Sequence, residues 1–455
     1  MTVLAQIAAR VSGACPVTPD DRRAAIDAII DTLACMVAGR DDGATQAVLA
    51  ARTPSPGVCD AATGQRTTVA EAALINGVAA HALDFDDNFG PGMSHASAVM
   101  VPALIAVGQQ AGATGRALVD AYLAGLEAQA LAGQGVRPHH YTAGWHGTST
   151  VAPIGSAAGA ALIAGLDPEG IAQAMSLATS TACGPKGQFG TSAKPFHAGV
   201  AARNAAEAAL FAGAGLRGRA DILERPQGFG DLFGAGVPAA WDIDPAAPHV
   251  IGVEGLSPKL HPCCGSTHNG IDMVHDLRHA HGFGPEDVES ITIAVALANY
   301  RNLAYGDPQD EMEARFSMQY CIARAMYQDV LSLQDFTPEA VTDPVIRAFL
   351  PKVEMVLLSE EEQQAALKAP HRATIVLKDG RRFEAMRDFA RGTIRDPLHA
   401  AQKRAKFVDC LGGGDAAGAI YDRLCAMDEL PDLSLIGAVI ARGARALEDR
   451  VLQPA

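Results

Sequence analysis

The feature of this 455-residue chain that most constrains its fold is a change in hydrophobic periodicity near residue 255. Before that point, apolar residues recur with helical spacing between residues that begin or end helices. After it, Ile291, Ile293 and Val295 alternate with smaller residues, as in a half-buried strand. Helical composition returns near residue 397. The pattern predicts a mainly α fold, with a large all-helical domain built from both termini and a smaller α+β domain.

We place the all-helical domain at residues 1–264 and 396–455 and the α+β domain at 265–395. Thr18 and Pro19 open one helix that ends near Gly39, and Thr68 with Glu71 forms a capping box for another. Further helices are predicted at 96–111, 117–132, 148–165, 168–181, 266–281, 312–328, 337–348, 360–366, 397–411, 414–428 and 432–449. Strands are predicted at 291–297, 353–357, 373–377 and 382–385, the last two as a hairpin.

Composition and charge exclude several classes of protein. The formal net charge of −15 opposes binding to nucleic acid or to anionic membranes. The sequence contains no uninterrupted run of about 18 apolar residues, so no membrane span is expected. The nine cysteines are scattered without a CxxC pair, which indicates reduced thiols in a cytoplasmic protein. The sequence also lacks a phosphate-binding loop, a dinucleotide fingerprint and a nucleophile elbow.

Lys194 stands where a helix is predicted to begin, in the segment Lys194-Pro195-Phe196-His197. Proline disfavours helical geometry at the residue before it and suits the first turn of a helix. The alanine-rich run that follows is a strong helix former. A cation there meets the positive end of the helix dipole, which favours the neutral amine. Lys194 is therefore a candidate base or anion anchor, and an exposed lysine is the alternative.

A second cluster contains His81, Asp84 and Asn88, which share one face of a predicted helix, followed by His95. Polar groups at the end of an apolar helix are costly to bury without a task. This favours a ligand pocket in which Asp84 and His95 bind or orient substrate. A metal site and a solvated acidic loop are the alternatives.

A third cluster contains Tyr141 and His146, with glycines on either side of His146. Both side chains are candidate proton carriers, although a hydrogen-bonded structural histidine is the alternative for His146. A fourth cluster lies at the predicted domain boundary, which is a favoured place for a ligand cleft. There, Lys259, His268 and a helix N-terminus predict anion capture. A zinc site is disfavoured because the adjacent Cys263 and Cys264 cannot easily chelate one tetrahedral ion.

Together these clusters resemble the MmgE/PrpD family over nearly the whole chain. The resemblance rests on residues 81–87 (HALDFDD), 144–148 (GWHGT) and 194–197 (KPFH), and continues through 259–272, 315–321 and 406–410. It implies action on small di- or tricarboxylates at a carbon next to a carboxylate, without a metal or an organic cofactor. It also implies homodimers, each chain having a large helical domain and a smaller α+β lid.

The resemblance also assigns site residues. It places in the active site Asp84, His95, His146, Lys194 and Lys259. Tyr141 matches a tyrosine that faces the lysine in epimerase-type members. Cys264 stands where the decarboxylases have a histidine, and Asn88 replaces a threonine common in the family. The site residues are thus most similar to those of iminodisuccinate epimerase.

We therefore predict a cofactor-independent isomerase that epimerises a small dicarboxylate such as iminodisuccinate. Lys194 and Tyr141 would exchange protons on opposite faces of one carbon, while His146 and Lys259 stabilise the carbanion. The residues predicted to hold the substrate or orient a histidine are His95, Asn88, His268 and Asp84. The alternative is a lyase, either a dehydratase or a decarboxylase, acting on a tricarboxylate of the 2-methylcitrate or cis-aconitate type. A non-catalytic carboxylate-binding homologue is disfavoured because Lys194, His146 and Asp84 occur together.

Overall fold

The computed structural model describes residues 1–52, 55–364 and 370–443. Its contacts divide the chain into two compact units. The first, which we call the helical unit, comprises Met1–Gln188, Ser192–Ser257 and His399–Ala455. The second, the sheet unit, comprises Phe189–Thr191 and Pro258–Leu398. The structure is 58% helix and 9% strand, which confirms the predicted mainly α fold with a smaller α+β part.

The first part of the helical unit is a series of helices joined by turns and loops. Their bounds are α1 (Val3–Ala9), α2 (Pro19–Ala38), α3 (Gly43–Ala50), α4 (Val69–Ala82), α5 (Ala96–Ala111), α6 (Gly115–Gln134), α7 (His139–Thr142), α8 (Gly147–Thr150), α9 (Ala152–Ile163), α10 (Pro168–Thr179), α11 (Ala193–Gly213), α12 (Phe229–Phe233) and α13 (Val250–Val253). Two short antiparallel strands, β1 (Pro56–Asp60) and β2 (Arg66–Thr67), lie between α3 and α4.

Helix capping explains several of these starts. At α2, the Thr18 hydroxyl accepts the Asp21 amide at 3.1 Å, and the Asp21 carboxylate accepts the Thr18 amide at 2.8 Å. Only one of the two hydrogen bonds of the predicted capping box forms at α4. Thr68 accepts the Glu71 amide at 3.3 Å, but the Glu71 carboxylate accepts the hydroxyl of Thr67 instead of the cap amide. A threonine side chain next to the cap therefore competes for the glutamate.

Glycines set the closest helix contacts of the helical unit. A Cβ atom on Gly77 of α4 would lie 2.8 Å from the Cα of Gly199 in α11, so no side chain fits at this crossing. A Cβ atom on Gly155 of α9 would lie 2.5 Å from the carbonyl oxygen of Gly125 in α6. Such approaches are possible because glycine has no side chain. The α4–α11 crossing matters most, because it brings the end of α4 beside the start of α11.

The sheet unit combines short helices with one four-stranded sheet. Its helices are α14 (Gly265–His281), α15 (Leu297–Asn302), α16 (Glu311–Arg315), α17 (Met318–Ala325), α18 (Pro338–Val341), α19 (Pro344–Phe349) and α20 (Glu360–Gln364), and its strands are β3 (Val288–Val295), β4 (Val353–Leu357), β5 (His371–Leu377) and β6 (Arg382–Arg387). The strand order is β4-β3-β5-β6. Strand β3 pairs parallel with β4 and antiparallel with β5, which pairs antiparallel with β6. Ile291, Ile293 and Val295 of β3 are fully buried in the core of this unit, as their alternation predicts.

The chain then returns to the helical unit with α21 (Ala400–Cys410), α22 (Asp415–Leu424) and α23 (Ser434–Arg442). Two predicted helices extend beyond the described residues: the ends of 360–366 and 432–449 lie outside them. Three others are broken in the structure. The helix predicted at 148–165 divides at Val151, between α8 and α9. The helix predicted at 312–328 divides where Ser317 caps α17 by accepting the Tyr320 amide at 3.1 Å. The helix predicted at 337–348 divides where Asp343 and Pro344 begin α19. Within the described ranges, no helix combines the length and apolar character needed to cross a lipid bilayer.

Candidate active site

A buried polar cluster lies within the helical unit where α4 ends and α11 begins. Lys194 and His197 come from the first turns of α11, and His81 comes from the last turn of α4. The loop after α4 supplies Asp84 and Asp86. The N-cap residues of α5 and α8 add the remaining members, which are His95 and His146. Helix ends are natural places for such groups because backbone polar atoms there have no partner within the helix.

Lys194 is the centre of the cluster. Helix α11 begins at Ala193, so Lys194 lies in the first turn of the helix rather than ahead of it. The side chain is 3% exposed, and its Nζ donates to Asp84 Oδ1 at 2.5 Å. Nζ also lies 2.8 Å from His81 Nε2. Lys194 and Asp84 therefore form a buried ion pair, in which the carboxylate compensates the charge of the ammonium.

His81 links Lys194 to a second carboxylate. Since the lysine ammonium can only donate, His81 Nε2 accepts, and the proton of the neutral ring lies on Nδ1. That proton faces Asp86, whose two carboxylate oxygens both lie 2.9 Å from Nδ1. Burial lowers the pKa of His81, with Asp86 opposing the shift. Burial would raise the pKa of the Asp86 carboxyl, but His81 and His95 hold it well below its ordinary value.

His95 completes the link between the two carboxylates. Its Nδ1 lies 3.2 Å from Asp86 Oδ2, and its Nε2 lies 4.0 Å from Asp84 Oδ1. The backbone amide of His95 donates to the Thr148 hydroxyl at 3.0 Å, which fixes the start of α5 against α8. The rings of His81 and His95 are 4.4 Å apart between centroids. The cluster is therefore organised by charge-assisted hydrogen bonds as well as by ring packing.

His146 and His197 form the other side of the cluster. Their Nδ1 atoms lie 3.2 Å apart, so one ring must donate to the other. Burial and the neighbouring Lys194 lower the pKa of His146 well below its ordinary value. Burial also lowers the pKa of His197, to about 4, with contributions from His81 and Lys194. Both imidazoles are therefore neutral at neutral pH, and Lys194 is the positively charged group beside them.

The loop that carries the carboxylates is held under local strain. Asp84 has a φ of 50°, in the left-handed region that residues other than glycine rarely adopt. Behind it, the buried Asp87 carboxylate accepts hydrogen bonds from Ser97, whose hydroxyl lies 2.6 Å from the Tyr122 hydroxyl. Burial raises the pKa of Asp87 to about 7. Strained backbone of this kind persists where the surrounding contacts over-determine it, and it is common at functional sites.

The structure brings together four of the predicted site residues: Lys194, Asp84, His146 and His95. The described contacts of Tyr141 are different: the Lys186 Nζ lies 3.4 Å from the centroid of its ring. Asn88 pairs through its backbone with Ser257, at 3.0 and 2.9 Å.

The remaining two predicted residues belong to the sheet unit. Lys259 and His268 are both buried, and His268 Nε2 lies 3.3 Å from the Cys263 carbonyl oxygen. Their part in the site stays a prediction.

Sequence reasoning missed three members of the cluster as site residues: His81, Asp86 and His197. One signal was available for His197, because it follows Lys194 by three residues and so shares a helix face with it. His81 was seen, but it was assigned to one helical face with Asp84 and Asn88. Helix α4 ends at Ala82, so the loop rather than the helix determines where those side chains point.

A metal site was one alternative for this cluster. Ligand atoms of His81, Asp84, Asp86 and His95 all lie within 4.8 Å of one another, and such a set suits a divalent cation. However, the Lys194 ammonium contacts both His81 and Asp84 at hydrogen-bonding distance. A metal ion bound to these atoms would have to displace the ammonium or face its charge at close range. The donor set as found fits an ammonium ion better than a metal ion.

Fold and site together define a mainly helical protein whose buried cluster suits acid–base chemistry on an anion. Residues 4–242 match the MmgE/PrpD N-terminal domain, and residues 261–418 match the MmgE/PrpD C-terminal domain. The chain belongs to the MmgE/PrpD family.

Similar proteins include cis-aconitate decarboxylases from three organisms. The Mus musculus protein is 29% identical over 357 residues, covering 74% of this chain and 70% of that protein. The Homo sapiens protein is 28% identical over 346 residues, covering 74% and 71%. The Aspergillus terreus protein is 24% identical over 414 residues, covering 83% of each chain.

The prediction of an epimerase is wrong. These relatives are named as decarboxylases, which are lyases, and they match the alternative stated above. The epimerase prediction depended on Tyr141 as the second proton carrier opposite Lys194. In the structure, a lysine ammonium covers the Tyr141 ring. The cluster of Lys194, Asp84 and the histidines suits proton transfer in either class of enzyme, so a single tyrosine was too weak a signal to decide between them.

Proposed function

We propose that this protein is a lyase that decarboxylates an unsaturated tricarboxylate of the cis-aconitate type, with Lys194 as the proton donor. The observation that carries the proposal is the buried Lys194 ammonium, held by Asp84 at 2.5 Å and His81 at 2.8 Å. The names of the relatives support the substrate class. In the proposed reaction, side chains of the protein act without a metal ion or an organic cofactor.

Decarboxylation of cis-aconitate needs a proton as well as a leaving group. Loss of CO2 from the saturated carbon releases the electron pair of the broken C–C bond, which forms a new double bond. The electrons of the old double bond then take up a proton at the vinylic CH carbon, the one farther from the departing CO2. One proton is consumed, and the product is methylenesuccinate. A general acid beside that carbon is therefore the main requirement of the reaction.

Lys194 meets this requirement because it is charged, buried and held in a fixed direction. Asp84 stabilises the ammonium before the reaction, and His81 with Asp86 fixes its second hydrogen bond. After the proton is given to carbon, solvent returns one to the amine before the next turnover. His146 is neutral and lies on the other side of His81, with 5.9 Å between the ring centroids. From there its ring N–H donates to a substrate carboxylate.

The substrate carries three carboxylates, so binding needs positive or donating groups. We propose that His95, Asn88, Lys259 and His268 bind these carboxylates, and that Tyr141 is a binding residue rather than a proton carrier. The sequence supports this for Lys259 and His268, which lie in a segment suited to anion capture. Because the net charge of the chain is −15, local cations must overcome a repulsive overall field.

A panel of substrates tests the proposal. Purified protein is incubated separately with cis-aconitate, 2-methylcitrate and iminodisuccinate, and products are followed by proton NMR and CO2 release. The expected result is CO2 and new methylene signals from cis-aconitate alone. Water loss from 2-methylcitrate without CO2 from cis-aconitate would identify a dehydratase and refute the decarboxylase. As a control for handling, Lys378→Met changes an exposed lysine in the β5–β6 turn and should turn over normally.

We further propose that the protein is a cytoplasmic homodimer without nucleic acid or membrane partners. The support is the family resemblance for the dimer and, for the rest, the acidic charge and the scattered cysteines. Light scattering of the purified protein gives the mass of the assembly directly. A monomer mass of 47.1 kDa under assay conditions would refute the dimer.

A further inference from the structure

A second buried lysine lies beneath the loop that carries the site carboxylates. Lys406 of α21 is 6% exposed and belongs to the helical unit. Its Nζ lies 2.8 Å from Asp31 Oδ1 in α2, so the two side chains form a largely buried ion pair. The same Nζ donates to the carbonyl oxygen of Phe85 at 2.7 Å and lies 4.0 Å from the centroid of the Phe85 ring.

The Phe85 carbonyl is an unusual partner because of what lies on either side of it. The preceding residue is Asp84, which has a left-handed backbone and accepts from Lys194. The carbonyl itself belongs to the peptide bond between Phe85 and Asp86, and the Asp86 carboxylate accepts a hydrogen bond from His81. A cation–carbonyl hydrogen bond is stronger than a neutral one and is directional. Lys406 therefore binds the backbone between Asp84, which contacts Lys194, and Asp86, which contacts His81.

We infer that Lys406, paired with Asp31, is a positioning residue that fixes the Asp84–Asp86 loop in the geometry the reaction needs. It does not touch the reacting groups and acts through the Phe85 carbonyl. The ion pair keeps the ammonium charged in a buried place, and the charge keeps the carbonyl in position. Displacing catalytic groups by even about 1 Å can cost about a hundredfold in rate. Loss of the Lys406 contact should therefore lower kcat.

The chain offers a matched control one turn away. Lys403 of the same helix pairs with Asp27 of the same partner helix, with 2.8 Å between Nζ and Oδ2. This pair joins α21 to α2 as the first pair does, but the described contacts of Lys403 do not include the loop after α4. The two pairs thus separate a general role in joining two helices from a particular role in positioning the loop.

The experiment compares two double variants with neutral side chains, Lys406→Met with Asp31→Asn and Lys403→Met with Asp27→Asn. For the first, we expect kcat for cis-aconitate to fall about tenfold to a hundredfold, with a smaller change in KM. The second should keep the kcat of the wild type. Lys406→Arg, which keeps the cation, should recover much of the lost rate. Wild-type kcat in the first variant, or equal losses in both, would overturn the inference.

This kinetic readout rests on the proposed function, so a second measurement is independent of it. In the wild type, nitrogen-15 NMR of labelled histidines should show His81 as one tautomer with the proton on Nδ1, assigned by its loss in His81→Gln. The first double variant should mix the two tautomers, and the second should not. If cis-aconitate is not turned over by any protein, this contrast still supports the inference, and an unchanged His81 in both variants contradicts it. If Lys406→Met fails to fold with Asp31→Asn, Lys406→Gln replaces it, and the same two outcomes apply.

Discussion

Each unit of the molecule contains a cluster of buried histidines, but the two clusters have different partners. In the helical unit, His81 contacts an ammonium and a carboxylate, and His95 contacts carboxylates. In the sheet unit, His261 Nδ1 accepts the Leu331 amide at 3.1 Å, and His275 Nε2 lies 2.8 Å from the Gln328 carbonyl oxygen. The partners of the first cluster can exchange protons, whereas these contacts of His261 and His275 are to backbone groups. The partners of a histidine, more than its burial, indicate what it does.

The largest expected effect comes from removing the charge at the centre of the first cluster. Lys194→Met should lower kcat for cis-aconitate by about a thousandfold, because the general acid is lost. It should also destabilise the protein by about 3 kcal/mol, since Asp84 is left buried without its ammonium. Steady-state kinetics and chemical denaturation measure the two effects separately. A variant that keeps most of the wild-type kcat would remove Lys194 from the mechanism.

The comparison of the two clusters predicts opposite behaviour for two equivalent substitutions. His81→Gln should lower kcat by about a hundredfold, because Lys194 loses an acceptor and Asp86 a donor. His275→Gln breaks one hydrogen bond to a backbone carbonyl and should lower the free energy of unfolding by about 1–3 kcal/mol while leaving kcat intact. Kinetics and denaturation on both variants check the contrast. Similar losses of kcat in the two would erase the distinction between the clusters.

A substitution at the α4–α11 crossing should show how far the first cluster depends on helix packing. Gly77→Ala places a methyl group 2.8 Å from the Gly199 Cα, which must push α4 and α11 apart. We expect about 1–3 kcal/mol of destabilisation and a fall in kcat, because His81 and Lys194 lie just beyond the crossing. Gly43→Ala in α3 meets open space and should be neutral or slightly stabilising. Denaturation curves decide, and equal behaviour of the two variants would contradict the packing argument.

A further expected effect concerns the pH dependence of stability. Burial raises the pKa of Asp87 in the folded protein from 3.8 to about 7, so its carboxyl binds protons more tightly there than in the unfolded chain. The stability from this group is complete below about pH 4 and is lost as the pH rises through about 7. Asp87→Asn should therefore flatten the fall in stability between these values. Denaturation at several pH values measures the slope, and an unchanged slope would show that Asp87 titrates normally.

The sequence predicted the fold well where the signals were local. Thr18 with Pro19 marks the start of α2, and alternation marks β3, because capping and period depend on neighbouring residues. The breaks before α17 and α19 were missed, although Ser317 and Asp343 are ordinary caps, because the apolar period continues across them. The site was harder to predict: Lys194 and Asp84 meet across 110 residues. No spacing rule gives such a contact, so only the family resemblance could place Lys194, Asp84, His95 and His146 in one site.

The central claim is that proton delivery to carbon and loss of CO2 are parts of one reaction on an unsaturated tricarboxylate. The most direct test runs wild-type enzyme with cis-aconitate in deuterated water and compares CO2 released with deuterium fixed in the product. The account predicts one deuterium per CO2, at the former vinylic carbon and on one face. CO2 without carbon-bound deuterium, or deuterium in recovered substrate without CO2, would contradict it.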